Sequence, residues 1–257
     1  MALNGEADLE TEADFAGRQD RGERPNQEDN YGVVPPSELG GGRALLSIVA
    51  DGMGGHAAGE VASEIAVQAF VDGFFNCSAT DDCSRLWEGL ELANREVGRS
   101  IKMNPSYAGM GTTLVSLLIR EGVARWISIG DSRLILVRNG EIHHLNRLHL
   151  ANGDSTPEEV ASEAAGRHPA SGALAAAIIG ERLFDVDDPD PVSLESGDLL
   201  LVTSDGLNTL PEAELLKVLN QHPNATAAES ADLLIEAVKA QGHPRQDNTT
   251  IVAIRWT

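Results

Sequence analysis

The chain has only two cysteines in 257 residues, Cys77 and Cys83. Their spacing matches no zinc motif and no second pair exists, which excludes a zinc cage and leaves two ordinary thiols on or near a loop between helices. Aromatic residues make up 4%, so Leu, Val, Ile and Ala must build the core. No stretch approaches the roughly 18 uninterrupted apolar residues of a membrane span. The N-terminus, Met-Ala-Leu-Asn-Gly-Glu-Ala-Asp, is acidic and lacks the apolar run of a signal peptide, so a cytoplasmic protein is expected. Positive charge is scarce: 19 basic residues face 40 acidic ones, for a formal charge of -21. Such a surface repels nucleic-acid phosphates and anionic lipid headgroups, so neither is an expected partner.

Several familiar motifs are also missing. Gly52, Gly54 and Gly55 lack the Gly-Lys-Ser/Thr ending of a nucleotide-binding loop. Asp185, Asp187, Asp188 and Asp190 imitate a calcium loop, but the turn glycine and the closing glutamate are absent, and a solvated edge is expected. His143, His144 and His149 cluster in sequence, yet the first two alternate faces of a strand.

What is present is a well-patterned 42% hydrophobic chain. Residues 1–13 read as a loose acidic tail, and 14–257 as one domain. Two short strands are expected between Phe15 and Val34, and a buried strand over Ala44–Ala50. Val61, Ala62, Ile65, Ala66, Ala69 and Phe70 predict a helix over Gly59–Phe75. Leu86, Leu90, Ala93 and Val97 predict a second over 82–103. Strands follow at Thr112–Ile119, Val123–Ile129, Leu134–Arg138 and Glu141–Leu145, with Asn139-Gly140 as a type I′ hairpin signal. A short helix is expected at Pro157–Ala165 and a small buried one at Ala173–Ile179. Two strands within Pro191–Thr203, helices near Pro211–Asn220 and Ala225–Ala240, and a strand at Thr249–Ile254 close the chain. Elements arrive in blocks with hairpins, which predicts an α+β fold of antiparallel sheets with helices packed outside.

Acidic residues stand beside glycine or asparagine at the ends of apolar strands. Asp51-Gly52 follows Ser-Ile-Val-Ala, Gly130-Asp131 follows Trp-Ile-Ser-Ile, Asp205-Gly206 follows Leu-Leu-Val-Thr-Ser, and Asp247-Asn248 precedes Thr-Thr-Ile-Val-Ala-Ile. One such pair reads as a turn. Four, each rigidly supported, point to carboxylates brought together, which stay ionised side by side only with a cation between them. All-oxygen ligation favours Mg²⁺ or Mn²⁺.

These segments resemble the type 2C family of metal-dependent protein phosphatases in its short bacterial form. The resemblance rests on Asp20-Arg21-Gly22-Glu23-Arg24-Pro25-Asn26-Gln27-Glu28-Asp29 and on Val49-Ala50-Asp51-Gly52-Met53-Gly54-Gly55-His56. Gly109-Met110-Gly111-Thr112-Thr113, Gly130-Asp131-Ser132-Arg133, Thr203-Ser204-Asp205-Gly206-Leu207 and Asp247-Asn248-Thr249-Thr250 follow in the family's order. The match runs from about residue 15 to 256. It implies a four-layer αββα sandwich of two antiparallel sheets flanked by helix pairs. It also implies hydrolysis of phosphoserine and phosphothreonine in proteins by direct attack of a metal-bridging hydroxide, with no covalent phosphoenzyme. By resemblance, Asp51, Asp205 and Asp247 bind one metal, and Asp51 bridges to a second held by Glu28 and the Gly52 carbonyl. Asp29 would orient the attacking water, Arg24 would grip phosphate, and Asp131 would hold a weaker third metal with Asp205. The alternative for Asp131 is a cap on the turn before Leu134. Expected partners are phosphorylated proteins, targets of a cognate serine/threonine kinase, met by a monomer. Two rivals are a binding-only pseudophosphatase, which would have lost metal carboxylates, and a phosphatase for small molecules.

The chain departs from the family pattern twice. Met53 stands where eukaryotic members often carry a histidine that is a candidate acid; bacterial relatives often share the methionine, which leaves a metal-bound water or another histidine, His56 or His168, for that role. Asn146-Arg147-Leu148-His149 replaces the usual Thr-x-Asp-His.

Overall fold

Two-residue alternation sorts the strands into layers. The structure is a computed structural model that describes residues 13–54, 58–150 and 176–257. One antiparallel sheet runs β1 (Ala13–Asp20), β11 (Thr249–Trp256), β10 (Leu199–Thr203), β7 (Arg133–Arg138), β8 (Glu141–His144). The other runs β2 (Asp29–Val34), β3 (Ala44–Met53), β5 (Leu114–Arg120), β6 (Val123–Ile129), β9 (Val192–Ser193), with β4 (Gly111–Thr112) added on β3. On β3, Leu46, Ile48 and Ala50 join a core with Phe70, Phe74, Leu90 and Val97 of helices α1 (Ala58–Asn76) and α2 (Asp82–Met103). Leu45 and Val49 of the same strand face the opposite sheet and pack with Leu134, Leu200, Val202 and Ile254. On β10 the intervening Leu199 and Leu201 meet α3 (Glu212–Gln221) and α4 (Ala227–Ala240) through Leu215, Leu234 and Val238. Both sheets are therefore covered on both faces, which is why inner strands such as β5 and β10 are largely apolar on both. Each fully buried Leu or Ile contributes about 1.5–3 kcal/mol. The layers are αββα, as expected.

The helices begin where local chemistry starts them. Asp81 accepts the Ser84 N–H at 2.8 Å and caps α2. Thr226 and Glu229 form a reciprocal capping box on α4, at 3.1 Å and 2.8 Å. The Asn139-Gly140 hairpin has φ of 52° and 79°, the left-handed pair that a type I′ turn requires.

Two expectations change. Ala173–Ile179 is not a helix at its described end: Ile178 forms an isolated antiparallel bridge with Thr112, with N–H···O bonds of 3.1 Å and 2.9 Å. Pairing with an available strand edge overrides the helical composition of Ala-Leu-Ala-Ala-Ala-Ile-Ile. Ala13, read as part of the acidic tail, already belongs to β1 and pairs with Trp256. Residues 1–12, the expected helix at Pro157–Ala165, and residues 173–175 lie outside the described residues.

Candidate metal centre

The acidic motifs meet at one end of the sandwich. Asp51, two residues before the end of β3, stands directly opposite Asp29, the first residue of β2. Asp205 opens a short 3₁₀ turn (Asp205–Thr209) just after β10, Asp247 lies just before β11, Glu28 just before β2, and Asp131 in the turn between β6 and β7. Each is tethered by its neighbours. Asp29 Oδ2 accepts from Ser204 Oγ at 2.6 Å and Thr250 Oγ1 at 2.7 Å, so a residue of one sheet is fixed by two hydroxyls of the other. Asn248 donates to the carbonyls of Arg21 (2.8 Å) and Asn26 (3.0 Å) and accepts from Glu28 N–H (2.7 Å), which stitches the first acidic loop to the last. At Asp51 the backbone N–H donates to Thr113 Oγ1 at 3.0 Å while Asp51 O accepts from Thr113 N–H at 2.9 Å. A side-chain acceptor thus replaces the carbonyl there. This interrupts the pairing of β3 at the gap between β4 and β5 without shifting its register.

Glycines make the close approaches possible. A Cβ on Gly52 would lie 2.1 Å from the Gly59 carbonyl oxygen. A Cβ on Gly59 would lie 2.9 Å from both Glu28 Oε1 and the Gly52 carbonyl oxygen, so those two oxygens share one spot at the start of α1.

The electrostatics show what is missing from a protein-only account. Burial, then Asp29, Asp205, Asp131 and Asp247, hold the Asp51 carboxyl well above the usual carboxylate range. Burial and then Asp131 and Asp247 push Asp205 up to about 8. Burial pushes Asp29 up to about 6 against its two hydroxyl bonds. Asp131 and Glu28 are also raised, first by burial. Asp29 Oδ1 and Asp205 Oδ1 are buried with no hydrogen-bond partner. Orphaned hard oxygens in a crowd of like charges fit a divalent cation. Among the described residues no group of three His, Cys, Asp or Glu side chains is placed so as to hold a metal ion. Protein alone gives these carboxylates no reason to converge, and Asp247 is engaged by Arg24 instead.

Arg24 sits half-exposed at the rim in that ion pair with Asp247. Asp131 does not cap the following turn: Leu134 N–H goes to Asn146 Oδ1 at 2.7 Å, and Ser132 Oγ pairs with Thr113 Oγ1 at 2.6 Å. Met53 ends β3 with its Cε 3.0 Å from where a Gly111 Cβ would stand. Gly55, His56 and His168 lie outside the described residues. Sequence reading passed over Thr113, Ser204, Asn248 and Thr250 as position-holders, although two of them, Ser204 and Asn248, directly flank the motif aspartates Asp205 and Asp247. It also set His149 aside. That residue is buried, and burial lowers its pKa; it does not reach a metal site but accepts the Gly130 N–H through Nδ1 at 2.9 Å. A groove of about 590 Å³ over α4, lined by His222, Pro223, Glu229, Asp232 and Glu236 among others, contains none of the motif residues.

Comparison with known proteins agrees with this arrangement. The profile of the family described as Protein phosphatase 2C matches residues 17–238. The serine/threonine phosphatase stp of Listeria innocua is 34% identical over 244 residues, covering 92% of this chain and 93% of that protein. The crystal structure of the Mycobacterium tuberculosis serine/threonine phosphatase PstP/Ppp superposes with a TM-score of 0.76 at 31% identity, covering 95% of this chain and 98% of that one. The catalytic domain of PstP in complex with two manganese ions gives 0.74 at 30% identity, covering 95% and 97%. No described helix is long and apolar enough to cross a membrane. With six ordered motifs converging on one carboxylate cleft, the chain belongs to the protein phosphatase 2C family and is a metal-dependent serine/threonine protein phosphatase.

Proposed function

We propose that residues 14–257 form one catalytic domain that removes phosphate from phosphoserine and phosphothreonine in proteins phosphorylated by a cognate serine/threonine kinase, acting as a monomer in the cytoplasm. The observation that carries the site assignment is the crowd of carboxylates around Asp51 with two buried, unpartnered oxygens at Asp29 and Asp205. Asp51, Asp205 and Asp247 would hold one Mn²⁺ or Mg²⁺; Asp51, Glu28 and the Gly52 carbonyl would hold the second. Asp131 with Asp205 would hold a third, more weakly. When bound, the cations supply Lewis acidity toward water and toward the phosphoryl oxygens.

The protein's own groups do the rest. Asp29 has one oxygen pinned by Ser204 and Thr250 and the other open, which suits it to orient a water. Arg24 pairs with Asp247. With Asp247 committed to holding a metal, Arg24 would be free at the rim for its planar fork to grip two phosphate oxygens. No thiol takes part: Cys77 follows the end of α1 and Cys83 opens α2, a 19-residue helix away from Ala58 and the cleft, or roughly 28 Å. None of the main carboxylates is missing, which favours turnover over a binding-only role. Phosphate release from a phosphothreonine peptide is the test. Release is expected with Mn²⁺, absent in excess chelator, and unaffected by thiol alkylation. Full activity in chelator would sink the assignment, and faster turnover of small phosphate esters than of phosphopeptides would favour the small-molecule rival.

A further inference from the structure

The turn that carries Asp131 is fastened on both sides. Before it, Gly130 is held by His149 through two bonds: the Gly130 N–H donates to His149 Nδ1 at 2.9 Å, and the His149 N–H donates to Gly130 O at 3.0 Å. Gly130 has φ of 109°, and a Cβ there would stand 2.6 Å from Thr113 Cβ, so this residue is pressed against Thr113 with no slack. After it, Ser132 bonds Thr113 Oγ1 through its hydroxyl at 2.6 Å, and its carbonyl accepts from Asn146 Nδ2 at 2.9 Å. Asn146 uses its whole amide: Oδ1 takes Leu134 N–H, and Nδ2 also reaches Ser128 Oγ at 3.2 Å. Asn146 and His149 are 4% and 1% exposed, so neither can meet substrate. Thr113 in turn holds the Asp51 backbone.

We propose that Asn146 and His149 are positioning residues: they hold the Asp131 carboxylate at the cleft in fixed relation to Asp51, and so set the strength of the metal site assigned to Asp131. This rests on the reading of Asp131 given above. Asn146 and His149 stand at the first and fourth positions of the segment that departs from the family pattern, with Leu148 buried between them.

The test uses the full-length protein, titrated calorimetrically with Mn²⁺, together with amide hydrogen exchange of the metal-free form. His149→Ala is expected to speed exchange of the Gly130 amide by on the order of tenfold or more. It should also shift the weak Mn²⁺ event to roughly 10- to 100-fold higher concentration, as loss of an outer partner of a metal ligand does. The tight events should stay, and KM for a phosphothreonine peptide should change by no more than about twofold. His149→Asn, whose Oδ1 can accept near the place of Nδ1, should restore both readouts. Asp131→Ala is the control, and should delete the weak event while leaving Gly130 protected. If Asp131→Ala keeps the weak event, Asp131 is no ligand and the inference falls with that reading. If Asp131→Ala deletes it while His149→Ala leaves it in place, Asp131 binds metal but His149 does not position it. If His149→Asn is as damaged as His149→Ala, or neither folds, the imidazole merely fills the core and the inference is overturned.

Discussion

Asp51 has four aspartates raising its pKa in addition to burial, more than any other carboxyl in the cleft. Removing its charge while keeping its shape isolates the part played by metal binding. Asp51→Asn, Asp205→Asn and Asp247→Asn are each expected to nearly abolish phosphopeptide turnover in steady-state assays. Arg24→Ala should act mainly on KM, because a charged hydrogen bond is worth about 1.5–3 kcal/mol, on the order of 10- to 150-fold. Near-normal rates in Asp51→Asn would show the ligand assignment to be wrong. The same crowding makes stability depend on pH. Asp205 is pushed up to about 8 and Asp29 up to about 6 in the folded chain, against about 3.9 when unfolded. A raised folded pKa means the proton is held more tightly in the folded state. Its contribution is whole below about pH 4 and is lost as pH rises through about 6 and then 8. The urea midpoint of chelator-treated protein should therefore fall between about pH 5 and pH 8, and saturating Mn²⁺ should flatten the slope; a metal-free midpoint that climbs over that range would contradict it. The aspartates were legible in the sequence because each abuts an apolar strand. Ser204, Thr250 and Asn248 were not legible as tethers, because their partners come from chain segments 175 to 227 residues away, and only the packed sheets bring them within reach.

Elements carry their own tests. The α4 capping box satisfies two backbone donors at a helix start that packs Ala227, Ala231 and Leu234 under the sheet. Thr226→Ala should cost about 1 kcal/mol in chemical denaturation while leaving kcat unchanged, since α4 lies on the helical layer away from the carboxylates. The helices were the most legible parts of the fold: 82–103 has the predicted bounds, and Gly59–Phe75 is extended by one residue at each end. Their caps and 3.6-residue spacing are local properties. The Ala173–Ile179 segment shows the opposite case. Ala and Ile say little about which neighbour is on offer, and Ile178 takes a strand partner in Thr112. Nearby, Gly98 and Gly180 meet so closely that a Cβ on Gly180 would stand 2.0 Å from Gly98 Cα, a crossing no local pattern announces.

The whole molecule bears a formal charge of -21 and concentrates part of it in one cleft. Cations bound there favour the folded state by mass action. At about 100 times Kd a single site adds roughly 2.7 kcal/mol, and a domain of this size moves its Tm by about 2–4 °C per kcal/mol. Mn²⁺ at that level should raise the Tm by about 5–11 °C in differential scanning fluorimetry, with no rise in Asp51→Asn. The layer order was legible because strands apolar on both faces need cover on both faces; which strand neighbours which was not, since β1 and β11 lie at opposite ends of the chain yet share eight paired positions. Asp29 and Asp51 stand on one sheet, whereas Asp205 and Asp247 flank strands of the other. On the proposed ligand set, an ion touching Asp51 and Asp205 is therefore also a rivet through the sandwich. Chain order divides the site as cleanly: Glu28, Asp29 and Asp51 precede α2, and Asp131, Asp205 and Asp247 follow it. Two polypeptides cut at the loop after α2 would each own half a binding site, so neither alone could complete it.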